Sequence, residues 1–367
     1  MPAVSSESIA VVLRGARANG RDVLLDPEGF AVLRAMDIAV PHHLLVRASN
    51  EIDPTAIASF PGERLVVKVV TPRTLHKTEI GGVMTVSRDP DAAVAAVAEM
   101  ERRFVRQAVT GYTVNQYISH DQSLGSQVLL AVRWTDEFGP VVTLALGGAD
   151  AEFLANHLAV GSGTVFLSPA VHAHDGLAAV LSEKVIVQTM IRRARVGGSR
   201  LSLKDLADVV LKFMEFASNH MPRDVLELEV NPLVISDRGP VAVDVLVRLG
   251  DGSEPERTER PLEKLKHLLR PRSIAIVGVS ESGNLGRLIL DKVADEGFPL
   301  DRTYVVKPGT ERIAGVPCYP SIRELPERVD LMVLSVPARS VPEAVAETIV
   351  AEKAESLIVV PGGMGER

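Results

Sequence analysis

One cysteine, Cys318, stands among 367 residues. A single thiol excludes a disulfide framework and a Cys-rich metal site, and it suits a reducing cytosol. Lysine and arginine form no block and the formal net charge is −7, so nucleic acid is not an expected partner. Long apolar runs are absent too. None reaches membrane-spanning length, and Ile9–Leu13 is too short for the core of a signal peptide. The expectation is a soluble, cytoplasmic protein without a membrane partner. What is present, 46% hydrophobic and 24% charged residues, suits globular domains with real cores. The length suggests about two to three of them.

The most informative stretch is Leu65–Val86. Leu65-Val66-Val67-Lys68-Val69-Val70 reads as a buried strand carrying one cation. A buried ammonium is costly unless it meets an anion. A loop follows with Arg73, His76 and Lys77, then the pair Gly81-Gly82, where a backbone without Cβ can approach a phosphate oxygen. A lysine snorkelling from an edge strand before a Gly-Gly hairpin fits the spacing equally well.

Around this stretch, Asp26-Pro27, Asp53-Pro54 and Asp89-Pro90 each read as a helix start. Val94, Val97, Met100 and Phe104 recur at helical spacing and predict a core stripe. Tyr112–Ile118 reads as a strand with Gln127–Trp134 as its neighbour. His42 and His43 are adjacent on a strand and face opposite ways, which argues against joint ligation. Val141–Leu146 runs into Gly147-Gly148, and Glu152 lies four residues on. It could bind ribose hydroxyls or a metal, or simply open a helix.

Leu226–Leu249 reads as strand, turn at Ser236–Gly239, and strand. Glu227, Glu229 and Asn231 alternate to one face, and Asp244 falls opposite Asn231 across the hairpin. Oxygen side chains so placed, completed by phosphate oxygens, suit Mg²⁺, which prefers oxygen ligands and keeps several waters. A solvated acidic strand face is the plainer alternative. Residues 250–264 are polar, contain two prolines, and read as a linker. Beyond it, Ile274–Val277, a glycine-bearing turn and a helix from about Leu285 read as the first βα unit of a Rossmann-like domain. The glycines Gly278, Gly283 and Gly286 do not follow G-x-G-x-x-G. The second strand ends at Lys307-Pro308-Gly309 rather than at an acid, so NAD is disfavoured and a phosphorylated ligand favoured.

As a whole string, strand lysine followed by P-x-x-LHK-T-E-x-GGV resembles the ATP-grasp module of NDP-forming acyl-CoA synthetases, relatives of succinyl-CoA synthetase. The resemblance continues through GG-x-x-x-E at Gly147–Glu152 and E-x-NP…D at Glu229, Asn231, Pro232 and Asp244. It extends over PRSIAIVGVS, YVVKPG, GVPCYPS, VDLMVLSVPA and IVVPGGMGE, which resemble the family's CoA-binding domain. It implies an α/β protein: an ATP-grasp domain over 1–249, a linker over 250–264 and a Rossmann-like CoA-binding domain over 265–367. ATP and CoA are then substrates and Mg²⁺ the cofactor. The implied nucleotide contacts are Lys68, Gly81, Gly82 and Glu152, with a backbone hinge in Tyr112–Ile118 for adenine. Glu229, Asn231 and Asp244 would hold the metal; Gly278, Ser280, Asn284, Gly286, Lys307 and Pro337 would hold CoA.

The implied reaction is acid–CoA ligation with release of ADP and phosphate, through acyl phosphate and phosphohistidine. The acid is a hydroxycinnamate such as ferulate, or acetate or another short-chain acid; at 4% aromatic residues, composition does not choose. Two departures stand out. Phe166-Leu167 replaces an arginine common in this strand of the family, and Arg192, Arg193, Arg195 or Arg200 is the expected substitute. The ligase domains carrying the swinging histidine are not in the sequence. The expectation is therefore a longer polypeptide or a partner chain, with His76 either a second phosphate carrier or a hydrogen-bonding loop residue. A nucleotide- and CoA-binding subunit without turnover of its own is the competing reading.

Overall fold

The computed structural model describes residues 5–71, 80–121, 125–148, 163–172, 176–196, 201–253 and 262–362. The chain separates into two compact units, Met1–Glu256 and Arg257–Arg367.

The first unit holds two sheets. Strands β1 (His43–Val46), β2 (Arg64–Val70), β3 (Val83–Ser87) and β4 (Gly111–Gln116) form an antiparallel sheet in the order β1-β4-β2-β3. Alternation divides β2 between two faces. Leu65, Val67 and Val69 are fully buried against Ala93, Ala96, Val97 and Met100 of the helix Pro90–Arg103. Each such side chain contributes roughly 1.5–3 kcal/mol. Val66 and Lys68 face the other way. Because β2 lies between β4 and β3, Lys68 is not on an edge strand, and the snorkelling reading falls.

Strands β5 (Gln127–Thr135), β6 (Gly139–Leu146), β7 (Thr164–Leu167), β8 (Val225–Ser236), β9 (Gly239–Ala242) and β10 (Leu246–Leu249) build the second sheet. Its order is β10-β8-β5-β6-β7, with β9 paired to the far half of β8. Two sequence expectations change here. β5 is not the neighbour of β4: β1 and β2 occupy both edges of β4, and β5 pairs with β6 and β8 instead. The return strand of the acidic hairpin is not continuous either. It leaves the ladder at Val243–Val245, and β10 then pairs with the first half of β8. The helices Val185–Val196 and Leu203–His220 cover one sheet face, where Val128, Leu130, Val132, Val142 and Leu144 are fully buried. Leu129, Ala131, Arg133, Val141 and Thr143 alternate to the opposite face.

The helix starts follow the proline signals, with one shift: the first Asp-Pro helix begins at Asp26 itself. Leu25 is the flanking residue, and its N–H donates to Glu28 Oε2 at 2.8 Å.

The second unit has β11 (Ile274–Val277), β12 (Thr303–Val306), β13 (Arg312–Ile313), β14 (Val316–Tyr319), β15 (Val329–Leu334) and β16 (Ala354–Val359), in the order β13-β14-β12-β11-β15-β16. All but β13 run parallel, and separate apolar clusters cover the two faces. This is a doubly wound, Rossmann-like sheet, with its order reversing between β11 and β15.

Candidate functional site

In the first unit the site begins with Lys68, which is 8% exposed. Its Nζ donates to the Val243 carbonyl at 2.8 Å and pairs with Asp244 Oδ1 at 3.0 Å. Val243 N still donates to Pro232 O at 3.3 Å, but proline has no N–H to return, so the Val243 carbonyl is left free for the ammonium. The pair sits in a cavity of about 260 Å³ lined also by Val66, Asn115, Tyr117, Ile118, His120 and Asn231. The chain leaving β4 forms one wall. There Tyr117 N donates to Arg64 O at 3.2 Å, and the Arg64 guanidinium lies 3.9 Å from the Tyr117 ring centroid.

Glu229 stands beside the cavity on β8. Burial and the Glu227 charge push its carboxyl above the ordinary range; a hydrogen bond with Asn231 and the charge of Arg133 work the other way. Asn231 and Asp244 line this cavity and Glu229 lines the neighbouring one; together they offer oxygen donors with two carboxylates. That chemistry fits Mg²⁺, which needs one or two protein carboxylates when phosphates supply the remainder. Gly81 takes φ +69°, and its carbonyl accepts from Arg103 Nη1 at 2.8 Å. Gly82 is buried, and its carbonyl accepts from Val69 N at 2.9 Å. His76 and Glu152 lie outside the described residues.

A second cavity of about 740 Å³ opens on the free face of the larger sheet, lined by Ala131, Arg133, Phe166, His172, Glu227 and Glu229 among others. Phe166, at the position where an arginine was expected, is 65% exposed on this wall. The arginine lining the same cavity is Arg133. Arg192, Arg193 and Arg195 do not line the cavity, and Arg200 lies outside the described residues. Arg133 Nε donates to Glu227 Oε1 at 3.0 Å, and its Nη2 closes on the same oxygen; Arg248 Nε reaches Glu227 Oε2 at 3.3 Å. Sequence reading missed Arg133. Its only signal was a cation at an alternating position of β5, directly opposite Glu227. Asn115 was missed as well, because it lies inside a strand read only for its backbone.

In the second unit the expected residues gather at the C-terminal ends of β11, β12 and β15. Gly278 takes φ +92°, and a Cβ there would lie 2.1 Å from the Ser335 carbonyl oxygen. A Cβ on Gly286 would lie 2.6 Å from Gly278 O. Both positions are therefore closed to side chains. Asn284 ties the turn together. Its Oδ1 accepts from Arg287 N at 2.9 Å and from Ser280 N at 3.1 Å, and its Nδ2 donates to Gly278 O at 2.7 Å. The turn thereby presents the first amides of the helix Leu285–Asp295. Lys307 follows β12, half-buried, with its N–H on Tyr319 O at 2.8 Å. Pro337 follows β15 and bridges to Gly362.

A lysine-bearing antiparallel sheet facing a carboxylate-bearing one, followed by a doubly wound sheet with a tight glycine turn, defines a nucleotide-binding and a second, phosphate-ligand-binding unit in one chain. The sequence matches the ATP-grasp domain family over residues 15–249 and the CoA binding domain family over residues 272–367. The chain belongs to the ATP-grasp family and carries a CoA-binding domain after that module. It is 27% identical over 325 residues to an ADP-forming acetate–CoA ligase II of Archaeoglobus fulgidus, a match covering 88% of this chain and 43% of that protein. It is 25% identical over 237 residues to the beta subunit of an ADP-forming acetate–CoA ligase I of Pyrococcus furiosus, covering 64% of this chain and 94% of the subunit. Among solved structures, it resembles the dinucleotide-forming acetyl-coenzyme A synthetase 1 of Ca. Korarchaeum cryptofilum. That protein is in complex with coenzyme A and Mg-AMPPCP, its phosphohistidine segment pointing towards the nucleotide binding site. The TM-score is 0.51 at 21% identity, over 66% of this chain and 100% of that one. At that identity the likeness speaks for the fold. The chain spans under half the length of the Archaeoglobus relative. Among the described residues no helix is long and apolar enough to cross a membrane.

Proposed function

We propose that this chain is the ATP- and CoA-binding portion of an acid–CoA ligase of the ADP-forming type, acting in the cytoplasm. The reaction joins a carboxylic acid and CoA into an acyl-CoA thioester and converts ATP to ADP and phosphate. The observation that carries this reading is the Lys68–Asp244 pair, which brings a buried cation on β2 and a metal-type carboxylate from the link between β9 and β10 into one cavity. Lys68 attracts the nucleotide phosphates, and the backbone at Tyr117–Ile118 offers donors and acceptors to the base. Glu229, Asn231 and Asp244 hold Mg²⁺, which supplies neutralisation of the phosphate oxygens when bound. Glu152, Gly81 and Gly82 complete the nucleotide contacts, and Arg133 replaces the cation lost at Phe166. In the second unit the turn at Gly278, Ser280, Asn284 and Gly286, with Lys307 and Pro337, binds the CoA phosphates through helix N-terminal amides.

The phosphoryl group travels by phosphohistidine. The histidine comes from a further segment or partner chain, like the phosphohistidine segment of the Korarchaeum enzyme, with His76 as the local candidate. The acid is acetate or another short-chain acid, as the names of the acetate–CoA ligase relatives suggest, with a hydroxycinnamate as the second candidate. A binding subunit without turnover of its own is favoured by the match of 64% of the chain to nearly the whole of a separate beta subunit. The test is to incubate the chain with Mg·ATP, CoA and an acid panel, and to read thioester absorbance and ADP. Expected is binding of both ligands with turnover well below about 1 s⁻¹, an ordinary enzyme rate, rising when cell extract supplies the histidine-bearing partner. Absence of Mg·ATP binding would refute the reading. Fast turnover by the pure chain would refute the need for a partner, and His76→Ala would then show whether His76 carries the phosphate.

A further inference from the structure

The smaller cavity contains a buried polar atom that the proposed chemistry has not used. Asn115 is 2% exposed. Its Nδ2 donates to Val66 O at 3.0 Å and to Thr113 Oγ1 at 3.0 Å, with Thr113 O at 3.4 Å. Backbone carbonyls only accept, so the amide cannot be turned round, and its nitrogen side is fixed. Oδ1 therefore points elsewhere, and among the described residues it has no hydrogen-bond partner. An unsatisfied buried acceptor costs about 1–3 kcal/mol, and a ligand that donates to it recovers that cost.

The sheet register shows which ligand atom is in reach. Asn115 lies directly opposite Val66, and Thr113 directly opposite Lys68; cross-strand partners share a face. Asn115 is thus on the cavity side with Lys68, while Tyr112 and Val114 face the helix with Leu65, Val67 and Val69. Along β4 the order on this face runs from Thr113, level with the phosphate-binding lysine, to Asn115, and then to the chain at Tyr117–Ile118. With the base at Tyr117–Ile118, as proposed above, Asn115 is on the base side of Lys68. Phosphate oxygens have no proton to donate at neutral pH. The donors of an adenine nucleotide are its 6-amino group and its ribose hydroxyls, and the base-side position favours the amine.

We propose that Asn115 Oδ1 accepts a hydrogen bond from the 6-amino group of bound adenine and makes this chain selective for ATP over 6-oxopurine nucleotides. The proposal rests on the first unit being a nucleotide site. A 6-oxo group would bring an acceptor against an acceptor and leave both unsatisfied. Asn115 is then a specificity-determining residue.

The test is a calorimetric series on the whole chain in Mg²⁺ with ATP, purine riboside triphosphate (no 6-substituent), inosine triphosphate (6-oxo), 2′-deoxy-ATP and 3′-deoxy-ATP. Wild type is expected to bind ATP about 10–100-fold more tightly than the 6-unsubstituted analogue, the usual scale for a lost bond to a buried polar group, and to bind the 6-oxo analogue no better. Asn115→Ala should bring ATP and purine riboside triphosphate to within about threefold of each other. Equal binding of ATP and the unsubstituted analogue by wild type overturns the proposal. So does an Asn115-dependent loss confined to the deoxy sugars, which assigns the acceptor to ribose. Uniform weakening of every nucleotide in Asn115→Ala makes the residue a structural tie and also overturns it. Binding of none of the nucleotides by wild type refutes the nucleotide site itself. Should Asn115→Ala not fold, Asn115→Ser replaces it, and the wild-type series decides without any variant.

Discussion

Lys68 and Asp244 lie 176 positions apart and meet at 3.0 Å. Lys68→Ala is expected to weaken Mg·ATP binding by about 30-fold, the scale of a charge-assisted bond of roughly 2 kcal/mol. Asp244→Ala should chiefly weaken its Mg²⁺ dependence. Calorimetry with and without Mg²⁺ checks both, and unchanged affinity in both variants would remove these residues from the site. Glu229 offers a test of opposite sign. Burial and the Glu227 charge raise its folded pKa, so its ionised form destabilises the ligand-free chain at neutral pH, and stability rises as pH falls through that pKa. Glu229→Gln should raise the melting temperature of the ligand-free protein by on the order of 1–2 °C while weakening Mg·ATP binding, which melting curves with and without ligand will show. Arg133 and Arg248 both hold Glu227, but only Arg133 lines the larger cavity. Arg133→Ala is therefore expected to reduce ATP affinity by about tenfold and Arg248→Ala to leave it unchanged; equal effects would make Arg133 a mere partner of Glu227.

At the scale of elements, the second unit depends on how its strand ends and first helix are tied. A methyl at Gly278 would meet Ser335 O at 2.1 Å in a left-handed conformation. Gly278→Ala should cost about 3 kcal/mol or more and abolish CoA-dependent stabilisation in a thermal-shift assay. The helix Leu262–Leu269 is anchored by His267 Nδ1 against Asp330 Oδ1 at 2.8 Å, while Arg272 N and Nε donate to Asp330 Oδ2 at 2.8 and 3.1 Å. Burial alone would raise the Asp330 carboxyl, but its hydrogen bonds to Arg272 and His267 win and hold it down at about 2. This contribution to stability is full above the ordinary carboxylate value of 3.8 and is lost as pH falls from there through about 2. Asp330→Asn should cost on the order of 3 kcal/mol at neutral pH, with the gap to wild type closing in that acid window. Circular dichroism melts across pH would expose a constant gap if the tether were unimportant.

At the scale of the molecule, each compact unit should answer to its own ligand. A ligand at one hundred times its Kd stabilises the unit that binds it by about 2.7 kcal/mol. Hydrogen exchange is expected to show Mg·ATP protecting Met1–Glu256, including β2 and β8, and CoA protecting Arg257–Arg367, including β11 and β15. CoA protection confined to the first unit would reverse the assignment.

Much of this was legible in residue order. Apolar alternation, Asp-Pro starts and turn glycines depend on neighbours within a few positions, so β2, β11, β12 and the helix Leu285–Asp295 fall where the pattern places them. Lys68 in an apolar strand, and glycines where a strand meets a helix, were visible in residue order as well. Partnership between distant segments did not. That β4 and β5 belong to different sheets depends on which strand edges are already filled, and periodicity carries no record of that. That the Val243 carbonyl is free to meet Lys68, that Arg133 and Phe166 line one cavity, and that Asn115 among the described residues keeps one acceptor unsatisfied are facts of register and packing. Each depends on side chains brought within about 3 Å across long stretches of chain, the range at which a hydrogen bond forms, and only the folded protein fixes such distances.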